Sequence, residues 1–168
     1  LELLPQRDMR LDADALEATL ERFRRDRQPV LLAVAVLGST EYGTVDPVDA
    51  VVEARDRSAV AGLGFSVHVD GAWGGYLATI FRAEDGSLRG FDEVRAEYRQ
   101  FPAPEVHAAF SALGRTDSVT VARLDVRADR LEPVARILGS RALPPGPRMR
   151  PSIPFVSFAP QDVWQVTP

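Results

Sequence analysis

The chain has 168 residues, of which 45% are hydrophobic and 26% charged, and a net charge of −4. This balance is typical of a soluble globular protein and gives no basic footprint for nucleic acid. The chain has no cysteine, which excludes disulfides and thiolate chemistry, and two well-separated histidines do not suggest a metal site. The sequence shows neither an apolar run of about 18 residues nor a signal-peptide pattern, so no membrane span and a cytoplasmic location are expected.

The first elements follow from apolar spacing. Asp12 is a predicted N-cap for a helix over 12–27, whose apolar face would hold Leu16, Leu20 and Phe23. Pro29 ends that helix. The run 30–37 is apolar throughout, which predicts a parallel-sheet strand covered on both faces.

A strand–helix–strand unit is predicted next. Asp46 followed by Pro47 indicates the N-cap and first turn of a helix over 47–60. The apolar, β-branched pattern at 65–69 then predicts a second buried strand. Because parallel strands end at the same edge of a sheet, Thr40 and Asp70 should face one crevice.

The stretch from Phe65 to Tyr76 is the centre of the functional interpretation. Asp70 ends its predicted strand, and the small residues after it would let a flat ligand approach the backbone. Two structural alternatives remain open on local pattern: Asp70 could simply cap the following turn, and Ser39 with Thr40 could satisfy turn backbone groups.

The second half of the chain divides at residue 121. Helices are predicted over 91–98 and 104–113, followed by a strand over 118–121. His107 is expected at the surface, with a position near the active site as the alternative. A further helix is predicted over 129–138, within an extra segment 122–142. The prolines of 143–168 predict an extended tail apart from any packed domain.

Several motifs in the first 121 residues resemble one enzyme family. The segment His68-Val69-Asp70-Gly71-Ala72-Trp73-Gly74-Gly75-Tyr76 resembles the HVDAAxGG segment of group II pyridoxal-phosphate (PLP) decarboxylases. The run from Val36 to Pro47 resembles the VxGSTExGxxDP of the bacterial tyrosine decarboxylase branch, and Arg10-Leu11-Asp12 its RMD. The segment 116–121 resembles the strand before the family's DPHK motif. The resemblance covers about residues 4–121.

The resemblance implies a fold, a site and an activity. The fold would be α/β, the central part of a fold-type I PLP-enzyme large domain, in a family of homodimers with active sites at the interface. Asp70 would pair with the pyridine nitrogen of PLP and keep it protonated, so that the ring accepts electrons when carbon dioxide leaves. Ala72 would lie under the ring and Thr40 near it. His68 should share the face of Asp70 on the strand, where a supporting or core histidine is favoured over a catalytic one. The substrate would be an aromatic L-amino acid such as tyrosine. The family's phosphate-binding segment and ring-stacking histidine would lie before Leu1.

The chain departs from the family at the lysine that holds the cofactor. After Val121 it continues Ala122-Arg123-Leu124-Asp125 in place of Asp-Pro-His-Lys, and all 20 of its basic residues are arginine. A Schiff base needs a primary amine that can lose its proton, which arginine lacks. No catalytic residue is therefore assigned. The expectation is a decarboxylase segment that is inactive by itself; a non-catalytic structural or interaction module is the alternative, and a partner that supplies the lysine is a third.

Overall fold

The computed structural model describes residues 1–98, 101–122, 155–158 and 164–166. The helices and strands in chain order are β1 Gln6–Arg7, β2 Arg10–Leu11, α1 Ala13–Arg25, β3 Leu32–Val36, α2 Val48–Val60, β4 Ser66–Asp70, a 3₁₀ helix Gly75–Phe81, α3 Phe91–Glu97, α4 Pro104–Ser111, a 3₁₀ helix Ala112–Arg115, β5 Ser118–Ala122, β6 Phe155–Phe158 and β7 Trp164–Val166.

In the described part of the chain, five strands form the main sheet, in the order β3-β4-β5-β6-β7. Strands β3, β4 and β5 are parallel, with Val36 opposite Asp70 and Asp70 opposite Thr120. Strands β6 and β7 continue the sheet in antiparallel fashion. The α/β class with parallel strands is therefore confirmed, and β1 and β2 form a separate hairpin.

The core lies between one face of the sheet and the helices. Val67, Val69 and Val119 are buried on that face. Above them, the ring of Phe110 in α4 stacks on that of Phe81 with centroids 4.4 Å apart. Within the described residues no helix is long and apolar enough to cross a membrane.

The start of α1 is as predicted. Asp12 Oδ1 accepts hydrogen bonds from the backbone N–H groups of Asp14 at 2.9 Å and Ala15 at 3.3 Å. Leu16 and Leu20 are buried on the inner side of the helix. The carboxylate satisfies N–H groups that have no partner within the helix, which is why the helix begins after Asp12.

Asp46 does not cap α2, contrary to prediction. Pro47 stands at the N-cap and makes no side-chain cap bond. The Asp46 carboxylate turns back: Oδ1 accepts from Leu11 N and Oδ2 from Val36 N, both at 2.7 Å. It thereby ties the hairpin to β3, a long-range role that a local capping pattern does not reveal.

Among the described residues, strand β3 is covered on one face only, contrary to the prediction that both faces are covered. Ala35 is fully buried, whereas Leu32, Val34 and Val36 on the other face are 49%, 51% and 37% exposed. In β4 the same outer face carries Ser66 and Asp70, which are also exposed. The apolar run shows that both faces of the strand are suited to burial, but the helices of the described residues cover only one of them.

One further expectation needs correction. His107 is half-buried: its Nε2 lies 2.8 Å from the carbonyl oxygen of Arg89, and its ring packs beside Phe81 and Phe91. Within the stretch 143–168, for which an extended tail is predicted, residues 155–158 and 164–166 form β6 and β7 of the sheet. Residues 155–158 form a short proline-free stretch that β5 can pair with, despite the prolines around it. The helix expected over 129–138 lies outside the described residues, and the boundaries 1–121, 122–142 and 143–168 stay predictions.

Candidate functional site

The carboxyl ends of the three parallel strands bring the predicted site residues to one edge. Asp70 is the last residue of β4, between β3 and β5. Its carbonyl oxygen accepts from Leu37 N at 2.8 Å, and the next N–H, that of Gly71, donates to Thr120 O at 2.8 Å. Asp70 is thus fixed on both sides by backbone bonds, at the type of sheet edge where α/β proteins bind ligands.

The Asp70 side chain is exposed and also organises the loop behind it. Its Oδ1 accepts a hydrogen bond from Ala72 N at 3.0 Å. This is the turn-capping role that the sequence left open. The exposed side chain remains accessible from solvent, so capping the turn does not bar Asp70 from meeting a ligand.

His68 lies two residues before Asp70, on the same face of β4, and is bound by β5. Its Nδ1 is 2.7 Å from Ser118 Oγ, and its Nε2 is 3.2 Å from Thr120 Oγ1. Burial lowers the pKa of His68 from its ordinary value of 6.5, and the Asp70 carboxylate opposes that shift. A neutral ring that donates from one nitrogen and accepts at the other satisfies both hydroxyl contacts.

Ser118 and Thr120 were not singled out from sequence. The parallel register places Ser118 opposite His68 and Thr120 opposite Asp70, so alternate residues of β4 and β5 share one face. The sequence does contain a signal, because the two hydroxyl residues stand two positions apart within a predicted strand. Only the register shows that they meet the histidine.

Thr40 lies in the turn after β3 and is exposed at the same edge. Its neighbour Ser39 serves the turn itself: Ser39 Oγ is 2.7 Å from Thr44 Oγ1 and accepts from Thr44 N at 3.2 Å. Ser39 thus satisfies polar groups of its own turn, which is the structural alternative given in the sequence analysis. Thr40 is left at the surface of the turn, and its role at the site stays a prediction.

The glycines after Asp70 pack against protein. A Cβ on Gly74 would overlap the carbonyl oxygen of Leu37, and one on Gly75 would lie 2.7 Å from Val121 Cγ2. Gly38, with φ +86°, faces the Gly74 backbone in the same contact. The absence of side chains at these glycines lets the loop after β4 pack against the end of β3. This packing alone accounts for the small residues, which the sequence analysis attributed to the approach of a flat ligand.

The residues present fit one part of a PLP site and fail another. An exposed carboxylate at the carboxyl edge is suited to pair with a protonated ring nitrogen. The chain has no lysine with which to hold the aldehyde carbon. The donor set therefore does not fit covalently bound PLP. Among the described residues there is also no cluster of three or more side chains suited to a metal ion.

Two of the known proteins that are similar in sequence to this chain are L-tyrosine decarboxylases. The chain is 35% identical over 121 residues to an L-tyrosine decarboxylase of Levilactobacillus brevis, covering 67% of this chain and 19% of that protein. It is 37% identical over 124 residues to the L-tyrosine decarboxylase of Enterococcus faecium, covering 69% and 20%. No family model matches the chain. Among solved structures, mouse CSAD in apo form aligns with a TM-score of 0.47 and 21% identity over 71% of this chain and 20% of that one.

The α/β segment with its acid-tipped central strand belongs to the group II PLP-dependent decarboxylases, as a partial large domain. Within that family its relatives include the bacterial L-tyrosine decarboxylases. PLP is the cofactor of the family. The chain spans about a fifth of the length of the curated relatives it matches.

Proposed function

We propose that this chain is a segment of a PLP-dependent decarboxylase that acts on an aromatic L-amino acid, with tyrosine as the first candidate. The observation that carries the proposal is the position of Asp70. It combines a family motif with an exposed carboxylate at the carboxyl edge of a parallel sheet, beside the turn that holds Thr40. The relatives named as L-tyrosine decarboxylases support the substrate class.

This chain is proposed to be inactive by itself. Decarboxylation in this family depends on a primary amine on the protein, and this sequence offers arginine at every basic position. A guanidinium stays protonated at any working pH and does not replace lysine. Asp70, Ala72 and Thr40 are proposed as the remaining contacts to the ring, none of them covalent, and His68 is proposed to position this edge from the strand.

Weak PLP binding through Asp70 tests the ring contact. PLP titrated into the purified chain should bind measurably less well to Asp70→Asn, because the charge that favours a protonated ring nitrogen is gone. Asp85→Asn is a matched control, since Asp85 also accepts a backbone bond in a turn, from Ser87 N at 2.8 Å. Equal affinities for wild type and Asp70→Asn would contradict the proposed contact.

Covalent attachment and activity are tested separately. After borohydride reduction the chain should retain no PLP on any side chain, as mapped by peptide mass so that reaction at the terminal amine is recognised. Carbon dioxide release from L-tyrosine should also be absent. Release by the purified chain would overturn the inactive assignment.

The second candidate function is a non-catalytic interaction module. It is favoured by the missing lysine together with the apolar outer face of β3, where Leu32 and Val34 are about half exposed. Activity that appears only when a lysine-bearing polypeptide copurifies would instead support complementation. A chain that associates without gaining activity would support the module.

A further inference from the structure

His68 has two kinds of polar neighbour on its face of the sheet, the hydroxyls of β5 and a carboxylate of its own strand. The parallel register places Val34 of β3 on one side of it, where the side chain offers no hydrogen-bonding group, and Ser118 of β5 on the other. Asp70 follows two residues along β4 on the same face, and Thr120 lies opposite Asp70. Within the described residues Asp70 is the charged group that acts on the imidazole. The ring can therefore direct an N–H towards β5 or towards Asp70.

The imidazole is turned towards β5. Its Nδ1 lies 2.7 Å from Ser118 Oγ, and its Nε2 lies 3.2 Å from Thr120 Oγ1. Hydrogen bonds donated by a hydroxyl are typically shorter than those donated by an N–H, so the distances assign Ser118 as the donor to Nδ1 and Thr120 as the acceptor from Nε2–H. A neutral imidazole has a single N–H. Thr120 thus accepts the one N–H that could otherwise be donated to the Asp70 carboxylate.

The backbone of Thr120 holds the other side of Asp70. Its carbonyl oxygen accepts from the N–H of Gly71, the next residue, at 2.8 Å. Thr120 therefore contacts β4 both before and after Asp70, with its hydroxyl at His68 and its carbonyl at Gly71. The carboxylate itself bonds to an uncharged group, the N–H of Ala72. Its charge is therefore available to a cationic ligand at the sheet edge.

We infer that Thr120 is a positioning residue of this edge: by accepting the Nε2–H of His68, it keeps that N–H from the Asp70 carboxylate. An imidazole bonded to Asp70 would share the negative charge and weaken the preference of a bound ring nitrogen for its protonated form. Held on β5, the imidazole leaves that charge to the ligand. The identity of the ligand, a pyridinium such as the ring of PLP, rests on the proposed function, whereas the position of the imidazole does not.

NMR of the ring nitrogens in the free chain tests the position of the imidazole. In wild type their chemical shifts should show one neutral tautomer, with the proton on Nε2. Thr120→Val keeps the branched shape of the side chain and removes the acceptor. The N–H should then turn to Asp70, and the pKa of His68 should rise because its charged form gains a bonded carboxylate. Thr120→Ser retains a hydroxyl and should restore both the tautomer and the pKa of wild type.

Two further variants separate this role from a general effect on packing. In the Asp70→Asn background, Thr120→Val should no longer raise the pKa of His68, because the carboxylate that would accept the N–H is absent. Thr79→Val removes a hydroxyl that donates to the backbone carbonyl of Tyr76 at 2.9 Å, and it should leave the His68 titration unchanged. A pKa that Thr120→Val leaves unchanged or lowers would overturn the inference. A proton on Nδ1 in wild type would also overturn it, and that result needs no variant to fold.

PLP titrated into the same chains tests the consequence for the ligand. Thr120→Val should bind PLP more weakly than wild type, with an affinity that moves towards that of Asp70→Asn, whereas Thr120→Ser should bind as wild type does. Wild-type affinity in Thr120→Val, together with a loss in Asp70→Asn, would overturn the inference and leave the proposed ring contact in place. A wild type that binds no PLP would contradict the proposed ring contact, while the NMR measurement would still decide the role of Thr120.

Discussion

His68 is the residue whose chemistry is most constrained by its neighbours. Hydroxyl groups from β5 lie at both ring nitrogens, and a carboxylate stands two residues along the same strand. Burial favours the neutral ring and the carboxylate favours the charged one, and burial is the larger influence on its pKa. A histidine held in this way links β4 to β5 just below the candidate cofactor edge, which makes it a positioning residue in the proposed site.

The lowered pKa of His68 predicts a pH dependence of stability. The unfolded chain, in which the group has its ordinary pKa of 6.5, binds more protons than the folded one between the two pKa values. The free energy of unfolding should therefore fall as the pH drops through 6.5, and this contribution should level off below the folded pKa. Urea unfolding across that window should show a shallower slope in His68→Gln.

The role of Asp70 in that titration can be checked directly. Removing the carboxylate in Asp70→Asn should lower the pKa of His68 further, as followed by NMR of the ring protons, because its charge-stabilising neighbour is lost. Asp85→Asn should leave the His68 titration unchanged. A rise of the His68 pKa in Asp70→Asn would show that the two groups do not interact as the geometry indicates.

At the scale of elements, the loop after β4 and the end of β3 are built to touch. Backbone meets backbone where Gly74 presses on Leu37 and Gly38. That contact fixes the turn that begins at Asp70 against the neighbouring strand. The double glycine of the motif is therefore accounted for by packing between two loops of the sheet edge.

Gly74→Ala should destabilise the chain by about 1–3 kcal/mol, the usual cost of forcing extra volume into a packed contact. Its Cβ would overlap the Leu37 carbonyl oxygen, which belongs to backbone and cannot swing aside. Gly64→Ala is the control, since a Cβ there meets nothing within 4 Å. Chemical denaturation of both variants measures the difference, and equal stabilities would show that the loop relaxes freely.

Sequence patterns predict the helices and strands of this chain better than they predict which distant residues contact each other. The helix behind Asp12 and the strand ending at Asp70 follow from capping and β-branched runs, which are local. The bonds of Asp46 to Leu11 and Val36 join residues up to 35 positions apart, so a capping pattern could not reveal them. The exposed face of β3 could not be predicted for the same reason. An apolar run shows that a strand can be buried on both faces, but it does not show which elements are present to cover them.

For the molecule as a whole, the sheet extends beyond the segment that resembles the decarboxylases. Strand β5 pairs with β6 from Val119 opposite Phe158 to Ala122 opposite Phe155, and β7 follows on the other side of β6. The parallel half that carries the candidate site is thus continuous with an antiparallel half from the C-terminal region. The stability of the parallel half should therefore depend on β6 and β7, whose residues lie outside the family motifs.

Ser157→Pro tests that dependence. Strand β6 lies between β5 and β7, so the N–H of every residue within it faces one neighbour or the other, and a proline must remove a ladder bond. We expect the free energy of unfolding to fall by at least about 1 kcal/mol and the Val119 and Val121 amides of β5 to exchange faster. Glu84→Pro, at an exposed residue of the turn in which Gly86 N donates to Ala83 O, should do neither. Unchanged exchange in Ser157→Pro would mean that the parallel strands, and with them the Asp70 edge, are stable without the antiparallel half.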